Sequence, residues 1–185
     1  MWLAETHSSR RDYSWSPTIS VNLSARQFTL PDLEQRLECA LGEHRVPAEL
    51  LELEVTETAA MSNVAKSAET LAALRSLGVR VSIDDFGTGY SSLNYLRRFA
   101  VDAIKIDKSF VADIGADRHA EAICEAILRL GQSLGTKVVA EGVENERQAA
   151  FLRRRKCDEA QGFLFGKPLP VEEFEKVWIA TRATA

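Results

Sequence analysis

Cysteine is scarce. Cys39, Cys124 and Cys157 lie far apart among 185 residues and form no CxxC pair. An odd, sparse count excludes a disulfide framework and a thiolate zinc site, and reads as reduced thiols in a cytoplasmic protein. Cys124 on an apolar helical stripe and Cys157 just ahead of a strand read as small buried hydrophobes. Long apolar runs are missing as well: none approaches the roughly 20 residues of a membrane helix. Met1–His7 has no basic segment leading into an apolar one, so neither a signal peptide nor a membrane partner is expected, and the cytoplasm is the expected location. Positive charge is not in excess either. A net charge of −4 argues against a nucleic-acid polymer as partner, while one small anion held through a metal stays compatible with it.

What is present is ordinary for one domain with a sizeable core: 45% hydrophobic and 27% charged residues. β-like runs occur at Ile19–Leu23, Leu51–Thr56, Val79–Asp84, Ala103–Asp107, Lys137–Glu141 and Glu159–Phe163, with glycines or prolines at their flanks. Amphipathic stretches separate them. Leu33, Leu37 and Leu41 mark the first, and Val64, Leu71, Leu74 and Leu77 the second. Ala120, Ile123, Ile127, Leu130 and Leu134 form a longer stripe, Phe151 with Leu152 another, and Phe174, Val177 and Trp178 the last. Asn145 followed by Gln148 predicts a capped helix start. Strands joined by helical connections point to a parallel sheet in an α/β fold, closed barrel or open sheet. Residues 1–18 do not fit the repeat, and read as a loop or a worn helix.

The ends of these strands break the rule that a parallel strand is apolar on both faces. Asn22, Glu54, Asp84, Lys105 and Glu141 each sit beside apolar neighbours near a strand's C-terminal end. Alternation turns them all to the face opposite the helices, which in a barrel is the inside, at the end where catalytic groups gather. Carboxylates and an amide oxygen without His or Cys make a hard oxygen site, suited to Mg²⁺ or Mn²⁺. Crowded acids also require a cation to neutralise them. Each residue alone has a plainer reading: a strand-end acid is more often a cap or surface group, Lys105 has Asp84 and Asp107 as simple ion-pair partners, and Asp102 and Asp107 bracket a strand. Arg153–Lys156 reads as a solvated helix end. Five such residues together reverse the balance.

These residues belong to longer motifs: Val21-Asn22-Leu23-Ser24-Ala25-Arg26-Gln27-Phe28, Leu53-Glu54-Val55-Thr56-Glu57, the run from Asp84-Asp85-Phe86-Gly87 to Ser92, Lys105-Ile106-Asp107, Ala140-Glu141-Gly142-Val143-Glu144 and Gln161-Gly162-Phe163. In order and spacing they resemble the EAL domain of bacterial cyclic di-GMP phosphodiesterases, from about Ile19 to Trp178. The resemblance implies a TIM-like (β/α) barrel, here incomplete with about six βα units and its first strands missing, over residues 19–185. It implies Asn22, Glu54 and Asp84 as ligands of a first metal and Asp85 as ligand or neighbour of a second. Lys105 would orient the attacking water or steady phosphate charge, and Glu141 would hold the second metal or act as general base. Glu57 would anchor the Asp-Phe-Gly loop, and Gln161 would line the site. The implied reaction is in-line attack of water, activated between two metal ions, on one phosphodiester of cyclic di-GMP to give linear pGpG.

Two small departures, Lys156 and Ala100, lie away from this chemistry. The large one is that the Glu-Ala-Leu motif is absent, and with it a metal-ligating glutamate and a phosphate-contacting arginine. Magnesium tolerates the loss of a ligand poorly, so one or two ions bound with reduced affinity, and impaired hydrolysis, are the expectation. The alternatives are a non-catalytic cyclic di-GMP-binding or protein-interaction regulatory module, and a piece of a longer enzyme that restores the site. Open strand edges further predict a homodimer or larger assembly that covers the gap.

Overall fold

A computed structural model describes residues 18–89 and 96–176. In chain order the elements are β1 (Ile19–Leu23), α1 (Ala25–Phe28), α2 (Leu33–His44), β2 (Leu51–Thr56), α3 (Glu57–Met61), α4 (Val64–Ser76), β3 (Arg80–Phe86), β4 (Ala103–Ile106), α5 (Lys108–Ala112), α6 (Arg118–Leu134), β5 (Lys137–Ala140), α7 (Glu146–Arg154), β6 (Glu159–Ala160) and α8 (Val171–Phe174). Six strands form one sheet in the order β1-β2-β3-β4-β5-β6, every neighbouring pair parallel. Strand order never reverses, so the chain winds steadily in one direction. That is the winding of a barrel wall and not of a doubly wound sheet, whose ligands sit where the order reverses. β1 and β6 form the edges of this incomplete, TIM-like α/β barrel.

Local chemistry explains the turns. Asn145 and Gln148 form the expected reciprocal cap at the start of α7, and Ser24 with Gln27 does the same for α1. Thr56 caps α3 and Asp107 caps α5, each one residue past or at the end of a strand, so the chain passes from strand to helix without a loop. Asp102 and Asp158 have a shared role: each accepts at 2.9 Å from the backbone N–H of the second residue of the preceding strand, Val81 and Val138 respectively. Asp102 therefore brackets the sheet.

The outward row of the sheet (Val55, Val81, Ile83, Ile104, Ile106 and Val138) is almost fully buried under the helices. Each such side chain contributes about 1.5–3 kcal/mol on burial. The α6 stripe differs from expectation. Cys124, Leu128 and Gly131 share the buried face with Ala120 and Ile127, while Ile123 is 36% exposed. A Cβ on Gly131 would stand 2.1 Å from Val138 Cγ2, so the helix approaches β5 most closely at Gly131, and this turns Ile123 outward. Cys124 is buried as expected, whereas Cys157 is only half-buried. β6 stops at Ala160, short of the expected Phe163. Val177, Trp178, Tyr90–Ser92 and the first seventeen residues lie outside the described residues. Among the described residues no helix is long and apolar enough to cross a membrane.

Candidate active site

Register brings the predicted residues to one rim. Asn22 pairs with Glu54, and Glu54 with Ser82, so all three project from the same face. Ser82 in turn pairs with Ala103, so Lys105, opposite Val139, stands two residues further towards the strand ends. Glu54, Asp84 and Lys105 are buried there. Lys105 Nζ donates to Glu54 Oε1 at 2.5 Å, donates also to Glu141 Oε1, and lies 4.0 Å from Asp84 Oδ1. The lysine thus serves three carboxylates, and Asp107 is not among its ion-pair partners. Asn22 flanks this group with its side chain exposed.

Two consecutive aspartates share this rim because the strand is irregular. Between β3 and β4, Ile83 pairs with Ile104 and Phe86 with Ile106, so Asp84 and Asp85 both oppose Lys105. This is a β-bulge, an inserted residue that re-aims side chains. Asp85 carries it with φ 53, left-handed backbone that Asp tolerates better than most residues. Asp85 lies near Asp107 at the end of β4, close enough for the two carboxyl groups to influence each other's proton affinity. Asp107 was unassigned from sequence, and its spacing of two residues from Lys105 along β4 was the available signal.

The loops complete the rim. Gln161 Nε2 donates to Glu141 Oε1 at 2.7 Å. Glu57, 1% exposed, accepts from the backbone N–H of Gly87 at 2.9 Å and of Gly89 at 3.4 Å. A hollow of about 650 Å³ opens beside Glu141 and Gln161, with Lys108, Glu144 and Phe163 in its wall.

The charges are strongly coupled. Burial pulls the Lys105 ammonium down, but hydrogen bonds and charge from Glu141 and Glu54 outweigh it and raise its pKa above the ordinary value. Burial raises the Glu141 carboxyl, opposed by Lys105 and reinforced by Asp84 and Glu54. Burial, then the charges of Asp84 and Asp107, raise Asp85. Asp107 is lowered: burial works against this, but hydrogen bonds from Ser109 and Asp85 prevail. Among the described residues no three acids, thiols or imidazoles are drawn together at metal-ligating spacing, because the Lys105 ammonium stands between Glu54 and Glu141. By chemistry the donor set suits a hard divalent ion: every donor is an oxygen, and burial and the neighbouring acids raise Asp85, a crowding that a cation would relieve.

Comparison with known proteins follows this geometry. The EAL domain model matches residues 3–168, and the chain belongs to that family. It is 47% identical over 167 residues to the cyclic di-GMP phosphodiesterase NbdA of Pseudomonas aeruginosa, covering 90% of this chain and 21% of that protein. The chain therefore spans about a fifth of that relative. Among solved structures it resembles the PaMucR phosphodiesterase in complex with c-di-GMP, with TM-score 0.85, 43% identity, and coverage of 94% of this chain and 68% of that one. It also resembles Klebsiella pneumoniae BlrP1 in a manganese/cy-diGMP complex, with TM-score 0.77, 34% identity, and coverage of 90% and 41%.

Proposed function

We propose that this domain binds cyclic di-GMP at the rim and opens one phosphodiester to give pGpG, with Mg²⁺ or Mn²⁺ as cofactor. The observation that carries this reading is Lys105, buried between Glu54 and Glu141 and beside Asp84, at the C-terminal ends of parallel strands. Support comes from NbdA, named for this activity, and from MucR and BlrP1, solved with the dinucleotide. Asn22, Glu54 and Asp84 would hold a first ion, and Asp85, with Asp107 beside it, a second. When bound, the ions supply water activation and neutralise phosphate charge. Lys105 steadies the phosphoryl oxygens or the attacking water through its fixed ammonium. Glu141, raised by burial, accepts the water's proton more readily than an exposed carboxylate would, or joins the second ion's ligands. Gln161 orients Glu141.

A second reading, favoured by the Lys105 ammonium standing between Glu54 and Glu141, is a binding module that takes the dinucleotide without cleaving it. A homodimer that covers the outer edge of β1, and a cytoplasmic location, complete the proposal. The test is incubation with cyclic di-GMP and Mg²⁺ or Mn²⁺, with pGpG read by chromatography. Turnover that Glu54→Ala abolishes supports the enzyme. Calorimetric binding without turnover supports the module, and neither binding nor turnover overturns both.

A further inference from the structure

We infer that Gly162 is a positioning residue for the Glu141–Gln161 pair, and that its missing side chain is what keeps the Gln161 amide on the Glu141 carboxylate. Beyond the last paired residues of β5 and β6 the two loops stay zipped together. Gln161 N donates to Ala140 O at 2.8 Å, Val143 N to Gln161 O at 3.0 Å, and Leu164 N to Val143 O at 3.0 Å. Val143 is fully buried at the centre of this zipper. Gly162 lies directly against it. An added Cβ would stand 2.3 Å from both Val143 N and Val143 O, and 2.8 Å from its carbonyl carbon. Its φ is 153, a conformation that residues with side chains rarely adopt. A backbone atom cannot swing aside as a flexible side chain can, so any side chain at position 162 must part the two loops. Gln161 is the preceding residue, and its Nε2 reaches Glu141 Oε1 only because the loops lie this close. Gly142 fixes the other side of the same clasp: with φ 69, its added Cβ would meet Lys108 Cβ at 2.7 Å. The glycines flanking the acid and the amide therefore set where Glu141 points.

The link to catalysis rests on the phosphodiesterase reading above, but the geometric claim is testable without it. In ¹H–¹⁵N spectra the Gln161 side-chain amide is assigned by its disappearance in Gln161→Ala. In Gly162→Ala that pair should move to the position of a solvent-exposed glutamine while most backbone resonances stay in place. An unmoved pair overturns the inference whether or not the chain hydrolyses anything, and so does a general loss of dispersed resonances in Gly162→Ala together with an unmoved pair in Gly142→Ala, on the other side of the clasp. If the wild-type chain turns over cyclic di-GMP, Gly162→Ala should lower kcat by about tenfold or more, the scale of one lost hydrogen bond to a charged group. In a Gln161→Ala background the same change should cost little further, because both changes remove one interaction. Equal losses in the two backgrounds would assign Gly162 a purely structural role.

Discussion

The middle of the sheet and its edges are built differently. β4 is buried along its whole length and β2 nearly so, whereas three of the five residues of β1 are exposed and β6 has only two residues. The helices follow the same gradient: α6 buries five residues against the centre, and α2, which follows β1 in the chain, buries none. The site spans both regimes. Glu54, Asp84 and Lys105 stand on well-packed strands, so their geometry is fixed by the core. Asn22 stands on an exposed edge, and Gln161 is held through the loop clasp. The charge centre is thus preorganised by folding, and its flanks depend on what lies at the edges.

The sharpest way to break this contrast is Lys105→Met. It keeps the volume of the side chain but leaves Glu54 and Glu141 without their shared ammonium. Removing one partner of a buried ionic group costs about 3–5 kcal/mol, which for a chain of this size lowers the melting midpoint by about 10 °C. The deficit should shrink as pH falls from roughly 7 towards roughly 5, because the stranded carboxylates then take up protons. Mn²⁺ should recover part of the loss in the variant and raise the wild-type midpoint less. A thermal denaturation series over pH and Mn²⁺ checks all three, and a midpoint unchanged at neutral pH would mean the charge centre is not what the core holds rigid.

The opposite expectation applies at the edge. Val21 is 43% exposed on β1, and a lysine there discourages pairing of the strand with another chain. Val21→Lys should leave the stability of the domain within about 0.5 kcal/mol. It should lower the dimer fraction seen by size-exclusion with light scattering. A wild-type chain that is monomeric at every concentration removes the dimer from the proposal.

How much of this was legible in the sequence follows the same gradient. β1 and β2 have the expected bounds, and Glu54, Asp84, Lys105 and Glu141 do meet, because period-two alternation fixes a face before any fold is known. Position along the strand was harder to read. The bulge that turns Asp84 and Asp85 to one rim is a backbone irregularity with no side-chain pattern of its own, so the adjacency of two aspartates stayed unexplained and Asp107 unassigned. Ile123 was misplaced because the closest approach of α6 is set by a glycine, which a hydrophobic stripe does not weigh. β6 ends earlier than the sequence predicts because its polar and aromatic residues continue past Ala160, where strand pairing stops.

The smallest effect is expected from the thiols, which report the same gradient without touching the site. Cys39 is exposed on α2, whereas Cys124 lies under the centre of the sheet. Burial pushes the Cys124 thiol from 9.0 up to about 12, and burial likewise pushes Cys157 up to about 11. A thiol reagent at neutral pH should label Cys39 first and reach the other two only as the chain opens, since the thiolate is the reacting form. The linkage runs in one direction. Above pH 9.0 the Cys124 thiol of the unfolded chain ionises while the folded one stays protonated to about 12, so the contribution present below that range is lost as pH rises through it. Cys124→Ala should therefore flatten the alkaline limb of the stability profile slightly. Equal labelling rates for the three thiols in the native chain would show that the centre of the sheet opens as readily as its edge.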